Sequence, residues 1–535
     1  MGRIRVLDCT LRDGGYINDW GFGKDSIDII LDSLDKSRID IVEVGFLSNR
    51  IKKDENLSKF TSVEDISKLI GAKPRQNIKV CMINFGEYEL DDKPNASDVN
   101  LDGIRVAFHK KDMDEAIPYS DALIKKGYKV FMQPMVAANY SDEEYLDLIK
   151  KSNKINPYAF YVVDSFGVMK QNDVIRYFYM ADYNLNKNIY VGFHSHNNLQ
   201  LSYSNSQALI STNSTRELII DSSIHGMGRG AGNLNTELFI DYLNSLNMGD
   251  YEVEPLLEAI DYVIKPVYSK RPWGYSLPHY LSAVNNCHPN YATYLDDLST
   301  LTVKDISNLL SRMDSSKKNN FDKSYIKELY VKYQEENKEL KDDVENLREF
   351  FEGKEILLIA PGKSISSESD KVLEFIKKNK PVVIGVNFQP NDIPVDFLFF
   401  SNKRRYDQYV INSKERIVCT SNIIDESINH FVVNYDKLLN KIGAVEDNAG
   451  LMLLALLQKL NISSIHLAGF DGYSLDKSLE ESFAKKEFST AQTLDRLERI
   501  NLGMNYMIND FSKKMEINFL TTPVNIKIFN DKYYD

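Results

Sequence analysis

Residues 3–46, RIRVLDCTLRDGGYINDWGFGKDSIDIILDSLDKSRIDIVEVGF, hold the unit on which the fold reading rests. A β-branched run, IRVLDCT (4–10), is followed by an amphipathic stretch, KDSIDIILDSLDKS (24–37), and by a second β-branched run, IDIVEVGF (39–46). Apolar residues at helical spacing between two strand-length runs describe a strand, a crossover helix and a parallel strand. The pattern then repeats through IKVCMINF (78–85), DGIRVAF (102–108), YKVFMQPM (128–135), AFYVVDSF (159–166), IYVGFHSH (189–196) and LIIDSSIHG (218–226). Eight such runs exceed what a doubly wound sheet usually carries, so residues 1–248 are expected to close into a (β/α)₈ barrel, the TIM-barrel form of α/β fold.

Beyond the barrel the pattern changes. Residues 249–312 are helical and rich in Tyr, Pro and His, as in RPWGYSLPHYL (271–281), and are expected to lie over the barrel. A polar break, SSKKNN (315–320), precedes a charged stretch, SYIKELYVKYQEENKELKDDVENLREFF (324–351). Its thin apolar stripe suits a helical linker over 313–352, either a rigid spacer or a short coiled-coil contact. A second α/β unit, 353–535, opens at KEILLIAPGKSI (354–365) and continues through PVVIGVN, VDFLFFSN, RIVCTSN and SIHLAGFDGYS. It reads as a Rossmann-like, doubly wound sheet.

Composition narrows the function. The chain has 535 residues, 43% hydrophobic and 27% charged, the balance of a globular protein. No apolar run reaches the roughly 18 residues that a membrane span needs. A formal net charge of −12 argues against a nucleic-acid binder. The four cysteines are scattered and never form CxxC, which suits reduced thiols, and residues 1–15 lead straight into a strand-like run. A cytoplasmic enzyme of small molecules is expected, as a homo-oligomer and without a nucleic-acid or membrane partner.

In a barrel of this kind the chemistry sits at the C-terminal ends of the strands. Polar residues gather there: Asp8, Thr10, Arg12 and Asp13 after strand one, Glu43 on strand two, His109 after strand four, Asp164 and Ser165 after strand six, and His225 after strand eight. The strongest feature is His194-Ser195-His196 at the end of strand seven. Residues i and i+2 of a strand point to one side, so both imidazoles face the barrel mouth. Two imidazoles and a carboxylate form a facial set for a divalent ion, and Asp13 is the natural third ligand. Arg12 beside it supplies a fixed positive charge.

Three separated motifs, LDCTLRDGG (7–15), GFHSHNNLQL (192–201) and DSSIHGMGRGAGNLNTE (221–237), resemble the metal-dependent TIM-barrel aldolases and acyl-lyases. That family includes 4-hydroxy-2-oxovalerate aldolase, HMG-CoA lyase and the isopropylmalate and homocitrate synthases. The resemblance covers about residues 3–245. It implies Asp13, His194 and His196 as metal ligands with Asn233 as a fourth, Arg12 as the partner of an enolate oxygen, Glu43 as a supporting acid and Ser165 as a holder of the substrate carboxylate. RVAFHKKD (105–112) and VDSFG (163–167) are closer to the oxo-acid aldolase branch than to the CoA-dependent branches. The sequence departs from that branch at Tyr16, where the aldolases have a catalytic His, and at His225, where they tend to have Arg. Tyr275 matches a Tyr that the aldolase branch places over its site.

The resemblance therefore implies a lyase that makes or breaks a carbon–carbon bond beside the carbonyl of a 2-oxo acid, with Mn²⁺, Mg²⁺ or Co²⁺ as Lewis acid. Tyr16, His109, His225 and Tyr275 are the candidates for proton transfer and substrate contact. One alternative is a Claisen-type enzyme of acyl-CoA, for which Lys110, Lys111 and Arg229 could face the phosphates. Another is a barrel serving as scaffold for a C-terminal transferase. In the C-terminal unit, Gly362 of APGKSI could let a phosphate approach a helix N-terminus. Strand-end residues there faintly resemble nucleotide-sugar-using sialyltransferases, so a nucleotide or nucleotide-sugar ligand and a bifunctional role in surface-glycan precursor synthesis are further expectations.

Overall fold

The computed structural model describes residues 2–71, 77–89, 94–298, 300–335, 342–390, 392–409, 416–423, 430–475 and 494–526. They divide into two compact units, Met1–Thr293 with Asp314–Phe321, and Tyr294–Met313 with Asp322–Asp535.

In the first unit eight parallel strands close on themselves. They are β1 (Ile4–Asp8), β2 (Ile41–Leu47), β3 (Ile78–Asn84), β4 (Gly103–Phe108), β5 (Lys129–Pro134), β6 (Ala159–Asp164), β7 (Tyr190–Ser195) and β8 (Leu218–Ser222). Each pairs with the next in chain order, and β8 returns to β1 with Ile4 opposite Leu218 and Asp8 opposite Ser222. The crossover helices are built from the amphipathic stretches between the runs. Helix Lys24–Lys36 buries Ile27, Ile30, Leu31 and Leu34, one stripe at helical spacing. Helix Asp142–Ile155 starts at a capping box in which Ser141 and Glu144 satisfy each other's backbone amides.

The strand period of two sorts the barrel residues. Leu7, Ile41, Val80, Phe131, Tyr161 and Ile219 form one buried cluster inside the barrel. Their neighbours Val6, Val42, Cys81, Val130, Phe160 and Ile220 belong to the larger cluster packed against the helices. Two residues further along the inward series the chemistry turns polar: Ile41 gives way to Glu43, Phe131 to Gln133, Gly192 to His194 and Ile219 to Asp221, all buried. The barrel floor is therefore apolar and its C-terminal mouth is charged.

Two glycines serve this arrangement. On β2 the pairing to β3 shifts register between Glu43 and Phe46. Gly45 lies in that bulge at φ 144°, and a Cβ there would sit 2.0 Å from Ser58 O. On β7, a Cβ at Gly192 would sit 2.2 Å from Cε2 of Tyr161.

The second unit is a seven-stranded parallel sheet of β9 (Ile356–Ile359), β10 (Val382–Val386), β11 (Phe397–Phe400), β12 (Arg416–Thr420), β13 (Phe431–Val433), β14 (Ser464–Ala468) and β15 (Glu516–Phe519). Their spatial order is β13-β12-β11-β10-β9-β14-β15, so the winding reverses between β9 and β14, as in a doubly wound fold. The charged stretch contributes two helices, Lys323–Glu335 and Val344–Phe351; the middle of that stretch, 336–341, lies outside the described residues. Tyr330, Leu347 and Phe351 are buried. The Tyr330 hydroxyl donates to Asp447 Oδ2 (2.7 Å) and lies within hydrogen-bond distance of Thr300 Oγ1 (2.7 Å) and Tyr435 Oη (3.0 Å), which ties this helix into the second unit. Among the described residues no helix is long and apolar enough to cross a membrane.

Gly192→Ala tests the packing of the barrel interior. The added methyl must displace the Tyr161 ring, so a loss of about 1–3 kcal/mol and a lower melting temperature by circular dichroism are expected. An unchanged melting temperature would show that the interior yields at this point.

Candidate metal centre

The loop after β1 winds into a single helical turn, Thr10–Asp13, whose four residues are all buried. It delivers Arg12 and Asp13 to the mouth of the barrel, where β7 ends in His194 and His196. One donor atom from each of Asp13, His194 and His196 lies within 4.8 Å of the other two. The two imidazoles stand edge to face with centroids 5.2 Å apart. Asn233 completes the rim, its Nδ2 donating to Asp13 Oδ2 (2.7 Å) while its Oδ1 is buried with no hydrogen-bond partner in the protein.

A chain of buried ion pairs holds these donors. Arg12 pairs with Asp13 through Nη1 and with Glu43 Oε2 through Nε (2.8 Å). Glu43 Oε2 also receives Arg105 Nη1 (2.8 Å), and Arg105 Nη2 reaches Asp221. Asp221 Oδ2 lies 3.0 Å from His194 Nδ1, and its Oδ1 accepts from the Tyr161 hydroxyl (3.0 Å). With its side-chain amide turned so that oxygen and nitrogen exchange places, Gln133 accepts from Arg105 Nη2 (3.0 Å). An imidazole whose Nδ1–H is held by a carboxylate presents a bare Nε2, the form that ligates a metal.

Electrostatics fit a cation. Burial alone would raise the Asp13 carboxyl, but Arg12, His196, His194 and Arg229 outweigh it and hold the group well below the usual carboxylate range. Burial pushes His196 down to about 3, keeping its imidazole neutral despite Asp13 beside it. The buried carboxylates Asp13, Glu43 and Asp221 face Arg12 and Arg105, with Arg229 acting on Asp13 from the edge. His196 Nδ1, Asn233 Oδ1 and Arg12 Nη2 are buried with no hydrogen-bond partner in the protein. Buried polar atoms normally find partners, so the lone pairs of His196 and Asn233 beside the Asp13 carboxylate fit a divalent ion, and the Arg12 N–H fits an anionic substrate.

The other residues singled out from sequence are placed as follows. Ser165 lies beside the centre, its Oγ accepting from Val136 N (2.9 Å). Tyr16, His109, Ser165 and Arg229 line one cavity of about 410 Å³ in the first unit. Tyr16 is 39% exposed, and its ring lies 5.4 Å from the Arg229 guanidinium carbon. His225 is half-buried between Tyr268 (5.4 Å) and Trp273 (5.9 Å), outside the lining of that cavity. Tyr275 is 62% exposed and also outside it. In the second unit, Gly362 N donates to Gly469 O (3.0 Å), and the turn that follows receives the Asp471 carboxylate at Ser364 N (2.7 Å). An internal acid thus occupies that turn.

Residues 3–261 match the family model described as HMGL-like. This half of the chain is an HMGL-like domain. The family match and the similarity to 4-hydroxy-2-oxovalerate aldolases make this domain an aldolase or lyase. It is similar to the 4-hydroxy-2-oxovalerate aldolases of Geobacillus genomosp. 3 (27% identity, covering 49% of this chain and 77% of that one) and Pseudoalteromonas translucida (28%, 46% and 70%). Among solved structures it is similar to the N-terminal domain of a candidate aldolase from Bacteroides vulgatus (29% identity, 56% of this chain and 98% of that one, TM-score 0.47). It is also similar to the HMG-CoA lyase of Bacillus subtilis (13%, 50% and 94%, TM-score 0.40).

Arg105 and Asp221 are the site residues that motif reading missed. Their signal was available, since each is a charged residue at an inward position of an otherwise apolar strand. Asp221→Asn removes the charge that fixes the His194 tautomer, so affinity for Mn²⁺ or Co²⁺ is expected to fall roughly 10- to 100-fold by calorimetry. Unaltered affinity in a folded variant would show that His194 needs no such partner.

Proposed function

We propose that the barrel is a divalent-metal-dependent aldolase that joins or parts the enolate of a 2-oxo acid such as pyruvate and an aldehyde. The observation that carries the reading is the buried donor set of Asp13, His194 and His196 with the unpartnered Nη2 of Arg12 beside it. The similarity to 4-hydroxy-2-oxovalerate aldolases supports the choice of a 2-oxo acid. Asp13, His194 and His196 would hold the ion, with Asn233 Oδ1 as a fourth donor, and Mn²⁺, Mg²⁺ or Co²⁺ suits them. When bound it supplies Lewis-acid polarisation of the substrate carbonyl.

The chain's own residues do the rest. Nε and Nη1 of Arg12 are engaged by Glu43 and Asp13, which fixes the guanidinium plane and leaves Nη2 as the donor for the oxygen that gains charge as the enolate forms. Glu43 is thus a positioning residue. The Ser165 hydroxyl accepts from Val136 N and keeps its own proton for the substrate carboxylate. In the bond-forming direction a C3 proton of the 2-oxo acid passes to solvent as the enolate forms, the enolate carbon then attacks the aldehyde carbon, and the electron pair of the aldehyde C=O moves onto its oxygen. That oxygen takes a proton from the Tyr16 hydroxyl, a phenol that is protonated at neutral pH and regains its proton from solvent. Bond cleavage is the reverse, with the proton returned to Tyr16. His109 lines the same cavity, where it would meet the aldehyde portion.

Exchange of the pyruvate methyl protons with deuterium in metal-loaded enzyme reads enolate formation without knowledge of the aldehyde. The wild type is expected to exchange, and the double variant His194→Ala/His196→Ala to lose both bound metal and exchange. Arg12→Lys keeps the charge but not the planar fork, so exchange should slow by roughly 10²-fold with little change in KM. Absence of wild-type exchange with pyruvate and every small 2-oxo acid would overturn the reading in favour of an acyl-CoA substrate.

A further inference from the structure

We propose that Arg229 selects an anionic aldehyde, so that the partner of the 2-oxo acid carries a carboxylate or a phosphate away from its reacting carbon. The inference rests on the aldolase reading and names the substrate class of that same site.

The backbone brings Arg229 to the edge of the metal centre. A Cβ on the preceding Gly228 would lie 2.6 Å from Asp13 Oδ2 and 2.3 Å from Asn233 Nδ2, so the main chain there is wedged against the ligand set. The Arg229 side chain leaves that wedge and lines the cavity of about 410 Å³. Its Nη2 donates to Ser165 O (3.1 Å) and its guanidinium carbon lies 5.4 Å from the Tyr16 ring centroid. Those contacts fix its position. Its Nε is buried with no hydrogen-bond partner in the protein.

A general positive field does not account for this donor. Lys111 lines the same cavity, but so do Glu87 and Asp112, and the charges balance. Glu87 is in turn engaged by Asn84 Nδ2 (3.2 Å). The histidines of the cavity add no charge: burial, and Arg229 itself, hold His288 down to about 3, and burial lowers His109 as well. What distinguishes the cavity is one held guanidinium with a buried N–H left over, the geometry that recognises a carboxylate or phosphate oxygen. In the proposed reaction Arg12 and the Ser165 hydroxyl take the oxygens of the 2-oxo acid, and we assign the anion at Arg229 to the aldehyde.

The test measures kcat/KM for addition of pyruvate to paired aldehydes by the Mn²⁺-loaded full chain. Glyceraldehyde 3-phosphate is set against glyceraldehyde, and succinic semialdehyde against butanal. In the wild type at least one charged member should exceed its neutral partner by roughly 10²-fold, and the arm that shows it identifies phosphate or carboxylate. Arg229→Met should bring that ratio to within a few-fold of one, and Arg229→Lys should retain much of it. Because the ratio is taken within each protein, a partial loss of folded enzyme does not affect it. A wild-type ratio near one in both arms, or a ratio that survives in Arg229→Met, overturns the selection by Arg229 while pyruvate proton exchange in the wild type leaves the aldolase reading standing. Absence of that exchange overturns both.

Discussion

Arg105 lies at the centre of the barrel with no exposed surface, and the two arms of the site meet on it. One arm runs through Glu43 to Arg12 and Asp13; the other runs through Asp221 to His194. Taking several charges out of water is unfavourable unless each is paired and hydrogen-bonded, and removing one partner from such a pair typically costs about 3–5 kcal/mol. The cluster is consequently all or nothing. Strands β2, β4 and β8 must all be in place before any of its members is satisfied, so the geometry of the metal ligands is tied to closure of the barrel itself.

The same dependence divides the residues of the site into two sets. Arg12 and His194 have their orientation set from beneath, by groups buried on strands. Tyr16, His109 and Arg229 reach the cavity from loops above. In the proposed reaction the first set would act at the carbonyl and the second would meet the second substrate.

The barrel was legible in the sequence because its eight β-runs are continuous and its helices are amphipathic, and local pattern is what those elements express. His194 and His196 were legible because a strand's period of two puts i and i+2 together, and Asp13 because the first strand delivers its polar residues to the same rim. Arg105 and Asp221 were harder to see: each looks like an isolated charge in an apolar run until its partners, 62 and 116 residues away in the chain, are known. The turn at Gly362 shows what sequence leaves out. It lines a cavity of about 230 Å³, and the Ser364 amide beside it is met by a carboxylate more than 100 residues later in the chain. The charged stretch after residue 322 looked solvated because lysine and glutamate dominate it, yet the few apolar residues among them, Tyr330 above all, carry its packing.

The bulge on β2 has a consequence for water. Glu43 and Phe46 are three residues apart, which in a regular strand would put them on opposite faces. The register shift at Gly45 lets both turn inward, so the strand that supplies the acid beneath Arg12 also supplies an aromatic ring 6.0 Å from the guanidinium carbon. Phe46 packs there with Met82 and Ala107 and meets the ring of Tyr16 edge-on. The guanidinium is thus shielded along one flank by hydrocarbon, where the effective dielectric is low and its charge acts over a longer reach. Deleting one residue to mend the strand would rotate Phe46 away, wet that flank and weaken the hold of Arg12 on any growing negative charge without touching a single ligand.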